Sequence, residues 1–107
     1  MKFLVHTSYT DEGFKGLLKE GASKRREAVE QATKSIGGKL EGIYWAMGEN
    51  DVIFIVDVPD ATNLLALGQT ARATGAISGG TKITVLFTAE EVDKVIKMTP
   101  SYRPPGK

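Results

Sequence analysis

The sequence contains no cysteine and a single histidine, His6. Without thiols the chain can form no disulfide framework, no thiolate nucleophile and no cysteine-based metal site. One imidazole cannot make a two-histidine metal site, so we expect neither a metal nor another cofactor. Acidic and basic residues nearly balance at a formal net charge of +1. This balance supplies no strong positive field, and we expect no nucleic-acid partner.

Long apolar segments are also missing. The apolar run 52–56 is far shorter than the roughly 20 residues that cross a bilayer. The beginning, residues 1–6, lacks the long apolar core of a signal peptide and predicts a first strand instead. We therefore expect a cytoplasmic protein with no membrane partner. The 107 residues fit one domain that spans 1–107, with 98–107 as an extended C-terminal tail.

Helices and strands alternate along the rest of the chain. Short runs rich in β-branched and aromatic residues predict four strands, at 3–8, 39–47, 52–58 and 81–87. Capping residues predict helices that begin after Thr10, after Asp60 and after Thr88. Apolar residues at helical spacing extend to Ile36. They belong either to a helix that starts at Ser23 or to one long helix that is kinked near Gly21.

The order β-α-β-β-α-β, followed by a terminal helix, predicts a ferredoxin-like α+β fold. Such a fold has a four-stranded antiparallel sheet with its helices on one face. The third strand is apolar on both faces, with Phe54 and Val56 on one and Ile53 and Ile55 on the other. Since the helices cover one face only, we expect a second copy of the chain to cover the other. The alternative is that the terminal helix and residues 102–105 fold back over it.

His6 and Asp51 are the candidate catalytic residues. A histidine on a central strand can act as a general base, although a hydrogen-bonded histidine in the core or in an interface is the plainer interpretation. Asp51 begins the third strand and can orient the imidazole, whereas an acid at a strand end more often caps a turn.

Four further residues are candidate ligand-binding groups. Tyr44 and Trp45 point to opposite faces of one strand, so one of them can line a pocket with His6. The alternative places one in the core and the other in an interface. Arg25 and Arg26 lie where basic side chains near a helix N-terminus can hold an anion. The alternative is a solvated surface, paired through Glu20–Lys24 and Arg26–Glu30.

Seven segments together resemble the GYD domain family of bacterial proteins; they are residues 3–10, 16–21, 25–29, 37–41, 48–51, 56–60 and 102–106. The resemblance implies a dimeric α+β barrel. This wider group includes small monooxygenases, isomerases, dehalogenases and haem-binding enzymes, but the family itself has no established activity. Asn50 occupies the position of the tyrosine in the Gly-Tyr-Asp triplet, and we include it among the candidate ligand-binding residues.

From these features we expect a homodimer or higher oligomer that associates through its sheet face. We expect it to bind a small metabolite between sheet and helices, near His6 and the first helix. Two alternatives stay open. One is a cofactor-independent isomerase or monooxygenase with His6 as its base. The other is a regulatory or structural oligomer without a ligand.

Overall fold

The computed structural model describes all 107 residues and consists of four strands and four helices. Their order confirms the predicted ferredoxin-like α+β arrangement. The elements are β1 (Lys2–Thr7), α1 (Asp11–Glu20), α2 (Ala22–Ser35), β2 (Lys39–Trp45), β3 (Val52–Asp57), α3 (Ala61–Ala73), β4 (Lys82–Leu86) and α4 (Ala89–Ile96).

The four strands form one antiparallel sheet in the order β2-β3-β1-β4. The register of β1 with β3 sets Phe3 opposite Val56, and Leu4 opposite Ile55. Because side chains alternate along a strand, Phe3 and Val56 share one face of the sheet, and Leu4 and Ile55 share the other.

The core lies on one face only. Phe3, Val5, Val56 and Val58 are buried there against Leu64 of α3. Thr33 of α2 is also fully buried, and its hydroxyl donates to the Val29 carbonyl at 2.7 Å. We call this the helix side of the sheet. The opposite surface, formed by Leu4, His6, Ile53 and Ile55, is called the open face.

The first helical segment breaks at Gly21. Its φ of 94° lies in the left-handed region that glycine tolerates best, and its N–H donates to the Leu17 carbonyl, which ends α1. The chain restarts at once as α2. Residues 11–35 therefore form two helices, and the second begins at Ala22, one residue before the predicted Ser23.

The predicted caps are present. Thr10 accepts from the Gly13 N–H, and Asp60 accepts from the Thr62 N–H. Thr88 and Glu91 form a reciprocal capping box at the start of α4. Each cap satisfies a backbone donor that the first turn of a helix leaves free, so these short polar residues determine where the helices begin.

The C-terminal part of the chain does not fold back over the sheet. Every residue from Ala89 to Lys107 is exposed, and α4 has no buried side chain. The Cα radius of gyration is 17.1 Å, and the longest dimension is 58 Å. A compact domain of this length has a radius of gyration of about 13 Å. None of the four helices combines the length and apolar character needed to span a membrane.

Candidate functional site

The structure places His6 on the open face. Its neighbours along β1, Val5 and Thr7, are buried on the helix side, so the alternation of side chains directs the imidazole the opposite way. The expected pocket between sheet and helices therefore cannot include His6, whose face the sequence alone left open. A shift of one residue along a strand moves every side chain to the opposite face of the sheet, and the sequence does not fix that choice for β1.

A shallow basin of about 320 Å³ surrounds His6 on the open face. It lies where the β2–β3 turn meets one end of β4. Its walls combine a few apolar surfaces with an imidazole, an ammonium group, a carboxylate and an amide. The lining residues are His6, Ala46, Gly48, Glu49, Asn50, Ile53 and Lys82.

An ion pair forms part of the basin wall. The Lys82 Nζ lies 2.7 Å from the Glu49 Oε1, and Lys82 is the β4 residue directly opposite His6. This hydrogen bond is the main cause that lowers the pKa of Glu49, and the nearby His6 contributes to the same shift. The lowered pKa favours the ionised form of Glu49.

Asp51 does not orient His6. Its Oδ2 accepts from the backbone N–H of Tyr9 at 3.0 Å, and its own N–H donates to the Thr7 carbonyl at 3.1 Å. These two bonds tie the β2–β3 turn to the end of β1. Asp51 is thus a turn residue, as its alternative interpretation held, and the carboxylate near His6 belongs to Glu49.

Asn50 does lie in the basin with His6. Its Nδ2 donates to the Ser8 Oγ at 3.1 Å, which orients the side-chain amide. The amide oxygen receives no hydrogen bond from the protein. The asparagine at this position therefore offers a free acceptor at the basin edge.

Trp45 and Arg25 lie on the helix side, away from the basin. The Trp45 Nε1 donates to the Tyr9 hydroxyl at 3.2 Å, and the Tyr9 ring packs against Phe14 at a centroid distance of 6.5 Å. Burial raises the pKa of Tyr9 above its usual value, and the charge of the nearby Arg25 opposes the shift. The Arg25 Nε lies 3.7 Å from Glu20. This polar cluster joins α1 and α2 to β2.

Tyr44 and Arg26 are both far from enclosed. Tyr44 lies on the open face opposite Ile53 and is 73% exposed. Arg26 pairs with Glu30 at 4.0 Å on the surface of α2, as predicted. Glu20, however, pairs with Arg25 and not with the predicted Lys24. The break at Gly21 causes this change, because it interrupts the helical i,i+4 spacing on which the Glu20–Lys24 pairing relies.

Two basin residues, Glu49 and Lys82, were not among the sequence candidates. They are 33 residues apart in the chain, so no local spacing connects them. The signal that sequence offered was indirect: Lys82 is a charged residue near the start of a strand whose other positions are mostly apolar. Only the register, with Lys82 opposite His6, joins it to the imidazole.

Comparison with known proteins identifies a family and no activity. A search of curated proteins found no match to the chain. The model of the GYD domain matches residues 3–96, which include every strand and helix described above except Lys2, the first residue of β1. The chain therefore belongs to the GYD domain family.

Proposed function

We propose that this protein is a homo-oligomer that binds a small carboxylate-bearing metabolite in the open-face basin. One observation carries the proposal: the only histidine of the chain shares a 320 Å³ basin with the Lys82–Glu49 ion pair and the oriented amide of Asn50. Small-molecule sites commonly combine an apolar wall with a few convergent polar groups. Here Ile53 and Ala46 supply the apolar part.

The charges of the basin favour an anion. Lys82 is the cation of the wall, and an incoming carboxylate would replace Glu49 as its partner. His6 and the second N–H of the Asn50 amide can donate to the remaining oxygen atoms of the carboxylate. Glu49 then acts as an internal competitor that keeps Lys82 ordered while the basin is empty.

Binding is better supported than catalysis. An isomerase or monooxygenase that uses His6 as its base would gain from a carboxylate that orients the imidazole. No side chain hydrogen-bonds to His6, and Asp51 is engaged with Tyr9. The basin is also wide and shallow, which suits reversible binding more than exclusion of water from a reacting group.

Self-association would deepen the basin. The open face carries Leu4, Ile53 and Ile55 beside the exposed Tyr44, and none of the four helices covers it. Two such faces related by a two-fold axis would bury these residues and place a roof over each basin. The Lys2–Glu41 pair and Asp57 form a polar margin at the far end of this face.

Benzoate is a suitable probe because it joins a carboxylate to a flat apolar ring, and benzamide is its neutral counterpart. In an NMR titration we expect benzoate to shift the amide signals of His6, Asn50 and Ile53. We expect benzamide to leave them in place. Lys82→Ala should weaken benzoate binding by about tenfold, since it removes a charge-assisted hydrogen bond. Lys19→Ala on α1 is the matched control and should have no effect.

Glu49→Gln makes the test sharper. Removing the competing charge frees Lys82, so benzoate should bind this variant several-fold more tightly than the native chain. Weaker binding to Glu49→Gln, or shifts scattered over unrelated lysines, would contradict the assigned basin. Native mass spectrometry of the purified protein reports the oligomer and any retained ligand. A monomer would contradict the association through the open face, which Ile55→Asp is expected to disrupt.

A further inference from the structure

An apolar strip on β4 lies uncovered on the helix side of the sheet. Ile83 is opposite Val5 and Val85 is opposite Phe3, and both of those β1 partners are buried in the core. Yet Ile83 is 51% exposed, Val85 42% and Phe87 64%. The helix layer therefore ends before it reaches β4. We call Ile83 and Val85, together with Phe87 directly after the strand, the β4 strip.

The same chain carries a helix that has no surface to pack on. Val92, Val95 and Ile96 follow helical i, i+3, i+4 spacing, so they form one apolar face of α4. All three are exposed, and Ile96 is 70% exposed. A helix of eight residues is marginal in water without tertiary support, even when it is well capped. The capping box and this apolar face both indicate that α4 is built to pack.

The two surfaces fit each other in size. The five residues of β4 span about 17 Å at the usual rise of a strand. The eight residues of α4 span about 12 Å. The charged side chains of α4 lie away from its apolar face, with Lys94 on the opposite side. A helix laid on the β4 strip would bury apolar atoms of both elements and keep its charges in water.

The connection between the two elements indicates which copy supplies the helix. Only Phe87 and Thr88 separate β4 from α4, and α4 extends away from its own sheet with no buried residue. Short hinges of this kind favour the exchange of an element between identical chains. We propose that α4 of one protomer packs on the β4 strip of a second copy, and that the second copy returns the same contact.

This exchange involves neither the basin nor the open face. It uses the helix side of the sheet and completes the helix layer of each protomer with a helix from its partner. A two-fold axis makes the contact reciprocal, so each pair of chains buries two strips and two helices. The interface therefore closes on itself and does not extend into a fibre.

The absence of cysteine allows a direct test, because any disulfide must come from introduced thiols. Val85→Cys chains and Ile96→Cys chains are purified separately, mixed and oxidised. A disulfide between positions 85 and 96 in this mixture can form only between two chains. We expect this mixed disulfide as the main product, identified by mass spectrometry of the linked peptides.

Matched controls exclude chance collision. Lys94→Cys places the thiol on the opposite side of α4, and its mixture with Val85→Cys should yield at least tenfold less mixed product, since the facing geometry of a disulfide is strict. Adding Val92→Asp to the Ile96→Cys chain should suppress the 85–96 disulfide by about tenfold, because a charge then enters the apolar contact. Adding Lys94→Asp to the Ile96→Cys chain instead should leave the yield of the 85–96 disulfide unchanged.

The opposite results overturn the proposal. If the doubly substituted Val85→Cys/Ile96→Cys chain closes a link within itself while the mixture yields none, α4 packs on its own strip. If Lys94→Cys forms the mixed disulfide with Val85→Cys as efficiently as Ile96→Cys does, the contact is not made by the apolar face of α4. A failure of benzoate to bind would leave this result unaffected, so the two proposals fail separately.

Discussion

Single hydrogen bonds between distant residues shape the surroundings of the basin. Asp51 and Tyr9 are joined at 3.0 Å, and Asn50 and Ser8 at 3.1 Å. Each pair links the β2–β3 turn to the residues after β1, across 42 positions of sequence. No local pattern reports such a pair. Asp51 is a candidate through its residue type and Asn50 through its place in the family triplet, but their partners follow only from the fold.

The Tyr9 hydroxyl tests how much one of these long-range bonds contributes. Tyr9→Phe removes the acceptor of the Trp45 Nε1. We expect the free energy of unfolding to fall by about 1 kcal/mol, because the half-buried indole N–H loses its partner. Trp45 is the only tryptophan, so its emission during urea denaturation reports this change. Tyr102→Phe is the control and should change nothing, since Tyr102 is exposed in the C-terminal tail and lies outside the proposed contacts; a larger loss in the control would contradict this assignment.

The same hydroxyl should give the protein an alkaline sensitivity. Burial raises the pKa of Tyr9 above that of the unfolded chain, so the folded state binds this proton more tightly. The contribution to stability is complete below the unfolded value of about 10 and is lost as pH rises through the folded pKa. The stability difference between the native chain and Tyr9→Phe should therefore shrink above that pH.

At the scale of elements, the sequence predicts boundaries better than faces. Thr10, Asp60 and Thr88 begin their helices as predicted, because an N-cap is a local interaction within four residues. The face of β1 was not predictable in this way. Phe3 and Val5 point to one face of the strand and Leu4 points to the other, so the sequence pattern makes both faces apolar. The packing of Phe3 and Val5 against Leu64 of α3 decides that His6 lies on the open face.

Two glycines in α1 provide a matched pair of alanine substitutions that tests how this helix packs. A Cβ on Gly13 would collide with the carbonyl oxygen of Ala76, whereas a Cβ on Gly16 meets nothing within 4 Å. Gly13→Ala should therefore destabilise the fold by about 1–3 kcal/mol, the usual cost of forcing an extra methyl group into packed atoms. Gly16→Ala should stabilise it by about 0.5–1 kcal/mol through helix propensity.

Thermal unfolding of the two variants, followed by circular dichroism, measures this difference. The substitutions are chemically identical and three residues apart in one helix, so any general effect of alanine on α1 cancels between them. Equal changes in melting temperature would show that the loop around Ala76 does not pack against α1 in solution. The comparison thus tests the contact that anchors α1 at the end of β1, beside the Thr10 N–H to Ala76 carbonyl bond.

The whole molecule has more apolar surface than a single chain can cover. Only eight of its 107 residues are buried. The open face and the β4 strip lie on opposite sides of the sheet and are both uncovered. A net charge of +1 provides little repulsion between copies at neutral pH. Self-association is the simplest way to remove both surfaces from water, and each uses a different part of the chain.

Proteolysis should detect the exchange of α4 in the unmodified protein. Lys94 and Lys97 lie in or directly after α4, and trypsin cleaves after lysine once the local chain opens. If α4 packs on a second copy, cleavage at these sites should slow by about tenfold as the protein concentration rises through the dissociation constant, because association suppresses the open form. Cleavage after Lys19 in α1 is the internal reference and should keep its rate. Val92→Asp should abolish the concentration dependence of cleavage at Lys94 and Lys97 without accelerating cleavage at Lys19. If cleavage of the native chain at Lys94 and Lys97 proceeds at the same rate per molecule at all protein concentrations, α4 remains free.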